Sequence, residues 1–206
     1  MRYTGPRNRL ARREGVDLGL KTEGSKAQAS LLRRLAVKPG QKPNSRFKKL
    51  TEYGQQLREK QKVQRMYGLT ESALRKYFEK ASSHVGNTSH LFVHYLEWRL
   101  DNVVYRLGFA PTRAAARQLV NHGHFHVNGK KSSIPSAQVK IEDVITFKKD
   151  QTRAIPYVQE LLSKKNTTLP VWLERKADAG KVIGVPEVES IGNDVNLQAV
   201  IEFYSR

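Results

Sequence analysis

Residues 99–130 read RLDNVVYRLGFAPTRAAARQLVNHGHFHVNGK, and this stretch decides the fold. Leu100, Val103, Val104 and Leu107 recur at helical spacing, and Gly108 stops the helix they define. Thr112 is placed to cap a second helix by offering its hydroxyl to an orphan N–H. Ala115, Ala116, Leu119 and Val120 give that helix a slim apolar face, so it packs close to the first. Gly123 falls where the helix end needs a left-handed turn. Val127-Asn128-Gly129-Lys130 is a two-residue hairpin signal, because Asn-Gly accepts positive φ at both central positions. Arg99, Arg106, Arg113, Arg117, His122, His124, Lys130 and Lys131 are left over once the core is assigned. They predict a small, rigid cationic surface whose planar donors suit a phosphate-rich groove.

The rest of the chain agrees with a polyanionic partner. The 206 residues carry 37 Lys/Arg against 19 Asp/Glu, a net charge of +18. Such a field favours nucleic acid first and an anionic membrane surface second. No apolar run approaches the roughly 20 residues that span a bilayer, so no membrane partner is expected. The start, MRYTGPRNRLARREG, lacks the apolar stretch of a secretory signal. There is no cysteine, which excludes disulfides and thiolate metal sites and is compatible with a reducing cytosol. The charge is uneven. Residues 1–67 hold 18 Lys/Arg against 5 Asp/Glu, whereas 177–206 hold 2 against 5. A basic arm therefore meets a mildly acidic tail, better suited to a basic protein than to RNA.

Residues 1–45 lack periodicity and are dense in Arg, Lys, Gly, Pro and Ser. They are expected to be poorly ordered without a partner, with one short helix at 27–37 and a turn-rich linker at 38–43. Ser45 is the expected cap of a long helix over about 48–66, with Leu50, Leu57 and Met66 as a thin apolar stripe. Arg58, Lys60, Lys62 and Arg65 then fall on its wetter face. Thr70 caps the next helix, whose buried stripe is Leu74, Tyr77, Phe78 and Ala81. Beyond a break at Gly86-Asn87, one helix is expected from Thr88 or Ser89 through to Leu107. Val139, Ile141 and 144–147 suggest strands, 155–162 a helix, and 171–174 and 181–185 further strands. Residues 197–204 fit either a helix capped by Asn196 or a strand. Trp98 and Trp172 lie in apolar-patterned elements and read as core.

Two chemical readings fail. His122, His124 and His126 alternate, but Gly123 and the helix end break the alternation, and no carboxylate nearby offers a second shell. No metal or other cofactor is expected. No nucleophile with a base, paired carboxylates or phosphate loop is apparent, so no enzyme is expected.

The 99–130 segment resembles the helix–helix–strand RNA-binding motif named after small-subunit ribosomal protein four. That motif is shared with some pseudouridine synthases, tyrosyl-tRNA synthetases and a heat-shock ribosome-binding protein. The flanks resemble the ribosomal protein four family itself. They are Tyr3-Thr4-Gly5-Pro6, Arg12-Arg13-Glu14-Gly15, Tyr53-Gly54, the run from Gln56 to Val63, Tyr67-Gly68 and the terminal Val200-Ile201-Glu202-Phe203-Tyr204-Ser205. The resemblance implies a cysteine-less, zinc-free version, with Ala11 where some members carry a zinc-binding cysteine. Asp101, the acid to test against the pseudouridine synthases, reads instead as an ion-pair residue. The alternatives are an RNA-modifying enzyme or a messenger-binding translational repressor carrying the same motif.

The implied fold is α+β. It has a basic extended N-terminal arm (1–45), a small helical domain (46–90, completed by 187–206), and an RNA-binding domain (91–176). The RNA-binding domain has its motif at 96–147 and a small, mostly antiparallel sheet; 177–206 is the C-terminal segment. The implied partners are a multi-helix junction in the 5′ domain of small-subunit rRNA, ribosomal proteins five and three, and mRNA where it enters the subunit. The location is a cytoplasmic or organellar ribosome, with roles in assembly and translational accuracy. Candidate RNA-binding residues are Arg2, Tyr3, Arg7, Arg12, Arg13, Lys21, Arg46, Lys48, Arg58, Lys60, Lys62 and Arg65 in the first part. In the motif they are Arg99, Arg106, Thr112, Arg113, Arg117, Gln118, His122, His124, Asn128, Lys130 and Lys131. Glu187 and Glu189 are candidates for a protein interface.

Overall fold

A computed structural model describes residues 3–40, 50–148, 152, 154–163, 169–192 and 194–206. Arg2, Arg46, Lys48, the Ser45 cap and residues 41–43 of the linker lie outside the described residues. The chain forms two compact units. The first runs to Phe92 and takes in Ile191–Arg206; the second is Val93–Ser190.

The first unit contains α1 (Arg7–Glu14), α2 (Lys26–Leu32), α3 (Glu52–Met66), α4 (Glu71–Ser82) and the last helix, α9 (Leu197–Ser205). Among its described residues the arm thus holds two short helices where sequence periodicity indicates one. Ala11, Leu18 and Leu31 form a small buried cluster between them, too few apolar residues in a row to register as a pattern. The α3 helix begins after Thr51, whose hydroxyl accepts from Gly54 N–H at 3.2 Å. Its buried stripe also differs from expectation. Gln56, Lys60, Val63 and Tyr67 face inward, while Leu50 is exposed. A long polar stem can bury itself when its head finds a partner. Lys60 is 6% exposed, bonded to Glu71 at 2.6 Å, with its ammonium 4.7 Å from the Phe203 ring centroid.

The last helix supplies that ring. Residues 197–205 are helical, with Asn196 Oδ1 accepting from Ala199 N–H. Phe203 lies 5.6 Å from Tyr53 and Tyr204 stacks on Phe78 at 4.9 Å, centroid to centroid. Thr70 caps α4 as expected, and Leu74, Phe78 and Ala81 are buried.

The helix α5 (Thr88–Glu97) runs across the division between the units and stops at Trp98. The single helix expected from 88 to 107 is therefore two helices, α5 and α6 (Leu100–Arg106). The cause is non-local. Leu100 N–H donates to Ala137 O, Asp101 N–H to Pro135 O, and Val139 N–H to Trp98 O. Pairing with 135–139 draws the backbone at Arg99 into an extended conformation.

The second unit continues with α7 (Arg113–Asn121), β1 (Phe125–Val127), β2 (Lys130–Ser132), β3 (Val144–Phe147), α8 (Pro156–Ser163), β4 (Leu173–Lys176) and β5 (Ala179–Val182). The strands form one antiparallel sheet in the order β2-β1-β3-β5-β4. Residues 177–206 are accordingly not one tail: β5 is inside this sheet, and Ile191–Arg206 belongs to the first unit. The core joins Leu100, Val103, Val104 and Leu107 of α6 to Ala116, Leu119 and Val120 of α7 and to Phe109, Phe125, Ile145, Phe147 and Trp172. Trp98 packs against it.

One glycine is fixed by close approach. A Cβ on Gly180, in β5, would overlap the buried Leu107 side chain. Gly180→Ala is expected to destabilise the protein by about 1–3 kcal/mol, the usual cost of overpacking, read by urea unfolding. A second prediction concerns Tyr204. Burial, and then the Glu71 carboxylate that accepts its hydroxyl proton at 3.0 Å, raise its pKa above the ordinary tyrosine value. The folded state therefore keeps this proton where the unfolded chain has begun to lose it, near pH of about 10. Stability is fully present below that pH and falls as pH rises toward the folded value. Tyr204→Phe is expected to show a shallower alkaline loss of stability than the parent in thermal melts between pH 9 and 11.5.

Candidate nucleic-acid interface

The motif folds as its sequence dictates. Thr112, nearly buried, accepts from Ala115 N–H at 3.2 Å and so caps α7. Gly123 takes φ +69° at its C-terminal end, and Asn128 and Gly129 take φ 51° and 76° at the hairpin tip. Asn128 does more than turn the chain. Its Nδ2 donates to Asp143 Oδ1 at 2.7 Å, and its Oδ1 accepts from Val144 N–H at 2.8 Å. The side chain is a clamp between hairpin and β3.

Gly123 also admits a neighbour. The Lys131 stem crosses it so closely that a Cβ there would lie 2.7 Å from Lys131 Cε. Lys131 is thereby carried from the hairpin to the C-terminal end of α7, where helix carbonyls favour a cation. Gln118 on α7, His122 at its C-cap, and Lys130 and Lys131 on the hairpin are all exposed, with Arg113 and Arg117 half-buried along the helix. His124 is turned inward, with Nδ1 2.8 Å from the Thr152 hydroxyl. Among the described residues, no group of His, Cys, Asp and Glu could hold a metal ion.

Two of the expected surface arginines are committed to carboxylates of their own unit. Arg99 is 2% exposed and makes a two-point ion pair with Asp101, at 3.0 and 2.7 Å. The extended backbone at Arg99 turns its side chain inward, and Asp101 sits within reach. Arg106 grips Glu97 through two bonds, at 3.0 and 2.9 Å, and also donates to Ser190 O. Glu97 is fully buried and accepts from Asn102 Nδ2 as well, at 2.9 Å. Asn102 Oδ1 in turn accepts from Arg113 Nε at 2.8 Å, and the Arg113 guanidinium lies 4.6 Å from the Tyr105 ring centroid. Sequence reasoning missed Glu97 and Asn102. Their signal is polarity at positions that a buried helix stripe would give to apolar residues.

In the first unit the expected RNA-binding cations also divide. Arg58 and Arg65 both reach the Glu14 carboxylate, whose side chain has no exposed surface. Burial lowers the Arg65 pKa, with Glu14 opposing it. Lys60 is buried beneath α9, so its place on the wet face of α3 is corrected. Lys62 holds Glu59 at 2.6 Å and Asp194 O at 3.1 Å. Arg7 and Arg12 donate to the carbonyls of Leu20 and Val37. Tyr3 and Arg13 are exposed and Lys21 partly so. A cleft of about 580 Å³ is lined by Arg12, Arg13, Lys38, Arg58 and Lys62 together with Glu14 and Glu59, and it is net cationic.

A chain that carries both a cationic helix–hairpin face and a cationic helical unit has known relatives. A family model described as "Ribosomal protein S4/S9 N-terminal domain" matches residues 2–97, and one described as "S4 domain" matches 98–145. The chain is 48% identical over 213 residues to the protein called "Small ribosomal subunit protein uS4" of Herpetosiphon aurantiacus. It is 45% identical over 207 residues to the protein of that name in Desulfitobacterium hafniense, each comparison covering 100% of this chain and 99% of the relative. The chain belongs to the uS4 family. As a member, it is a structural, non-enzymatic component of the small ribosomal subunit with an RNA-binding domain, which excludes the RNA-modifying enzyme. Among the described residues no helix is long and apolar enough to cross a membrane.

The Arg99 pair yields a prediction. Arg99→Ala leaves Asp101 buried without its partner, and losing one member of a buried pair costs about 3–5 kcal/mol. The variant is expected to melt well below the parent while the salt dependence of its RNA binding, measured below the melt, is unchanged. A reduced salt slope would make Arg99 a phosphate ligand after all.

Proposed function

We propose that this uS4-family chain binds a multi-helix junction in the 5′ domain of small-subunit rRNA and nucleates subunit assembly there. The observation that supports the reading most is the α7–hairpin face, where Gln118, His122, Lys130 and Lys131 are exposed around half-buried Arg113 and Arg117. The mechanism is passive. Arg and Lys replace the counterions of closely spaced phosphates, so RNA helices that repel one another are held in one geometry. Junction shape supplies the specificity, because the A-form major groove is closed to side chains. The basic cleft of the first unit, with exposed Arg13, offers a second set of phosphate ligands.

The test is filter binding to a transcript of the 5′ domain across a range of salt. Lys130→Ala with Lys131→Ala is expected to weaken binding and to reduce the salt slope by about 0.7–0.9 for each phosphate that is no longer neutralised. Parental affinity and slope in this variant would overturn the assigned face.

The protein-facing surface is proposed at Glu187 and Glu189. Both are exposed, and Ile183 and Val185 are exposed close before them. Apolar side chains flanked by carboxylates suit a basic protein and are repelled by rRNA phosphate. The resemblance names ribosomal proteins five and three as neighbours, near the point where mRNA enters, in a cytoplasmic or organellar ribosome. Reversing the charge of Glu187 and Glu189 is expected to alter miscoding frequency while leaving rRNA affinity within about twofold. A large loss of rRNA binding with unaltered miscoding would refute the assignment.

A further inference from the structure

We propose that Asn102 is a positioning residue for RNA recognition, fixing the Arg113 guanidinium in the orientation that meets a phosphate. The inference rests on the reading that the α7 face contacts rRNA. Asn102 is 1% exposed. Its Nδ2 donates to the Glu97 carbonyl at 3.0 Å and to Glu97 Oε2 at 2.9 Å, and its Oδ1 accepts from Arg113 Nε at 2.8 Å. A carboxylate on one side and a guanidinium on the other settle which end of the amide is which. Aspartate here would set a second carboxylate against Glu97, and leucine would remove the hydrogen bonds that the amide makes to both neighbours. The position therefore requires a neutral side chain that both donates and accepts.

Tyr105, three residues on along the same face of α6, places its ring 4.6 Å from the guanidinium carbon. Arg113 is held from two directions by one helix while belonging to the next. It is also the first residue of α7, where a cation opposes the helix dipole and an anion is favoured. Helix stability gives no reason for an arginine there; an incoming phosphate does. Because the side chain is ordered before binding, less rotamer freedom is lost when RNA arrives.

The experiment measures the affinity of full-length protein for the 5′-domain transcript in a double-mutant cycle, with thermal melts confirming folding. Asn102→Ala is expected to weaken binding roughly tenfold and Arg113→Ala at least as much. In the Arg113→Ala background, Asn102→Ala is expected to have no further effect. The Arg113 Nε–Hε signal, protected in the parent by NMR, is expected to exchange rapidly in Asn102→Ala. Independent, multiplicative losses would overturn the proposal, since a merely structural asparagine acts whatever residue 113 is. Should Asn102→Ala fail to fold, Arg113→Lys decides: it keeps the charge and lacks the Nε. Several-fold weaker binding supports positioning, and parental binding overturns it. Undiminished binding by Arg113→Ala would overturn the reading of the α7 face itself, and the positioning role with it.

Discussion

A carboxylate with no access to water constrains everything around it. Glu97 ends α5, is fully buried, and accepts side-chain bonds from both Arg106 and Asn102. A buried charge is tolerated only when geometry and partners compensate for lost hydration. Those partners lie on α6, so the break at Trp98–Arg99 and the path of α6 are fixed together. Arg106 extends the network to the Ser190 carbonyl, and Asn102 extends it to the first residue of α7. The motif's two helices are thus joined by a polar thread as well as by the Leu100–Val104–Leu119–Val120 core.

The same arrangement recurs in the first unit. Glu14 gathers Arg58 and Arg65, and Glu71 gathers Lys60 and the Tyr204 hydroxyl. With 37 Lys/Arg and only 19 Asp/Glu, the chain uses key carboxylates more than once. Cations consequently serve two purposes. Arg58, Lys60, Arg65, Arg99 and Arg106 tie elements together, while Arg13, Lys130 and Lys131 stay on the surface. Net charge points to the polyanion, but it does not say which cations meet it.

That distinction limits what the sequence discloses. The elements of 99–130 are legible because each signal is local: the Thr112 cap, the stop at Gly108, the positive φ of Asn128 and Gly129. The helix break at Trp98–Arg99 is not, because it arises from backbone pairing of Arg99 with Gln138, 39 positions away. The α3 stripe eludes the pattern for a related reason. Lys60 faces inward only because Phe203 and Glu71 are there to receive it, and Phe203 is 143 residues distant in the chain. His124 likewise gives no hint of Thr152. Of the candidate site, the surface cations of the hairpin and α7 are readable; the buried acid that organises the arginines is not.

The Glu97–Arg106 pair is expected to be an energetic keystone of the motif rather than an incidental neighbour pair. Urea unfolding of the parent, Glu97→Gln, Arg106→Met and the double variant measures it as a coupling energy. A coupling of about 2 kcal/mol or more is predicted, the upper part of the range for directly interacting residues. Losses that simply add, with no coupling beyond about 0.5 kcal/mol, would contradict the account.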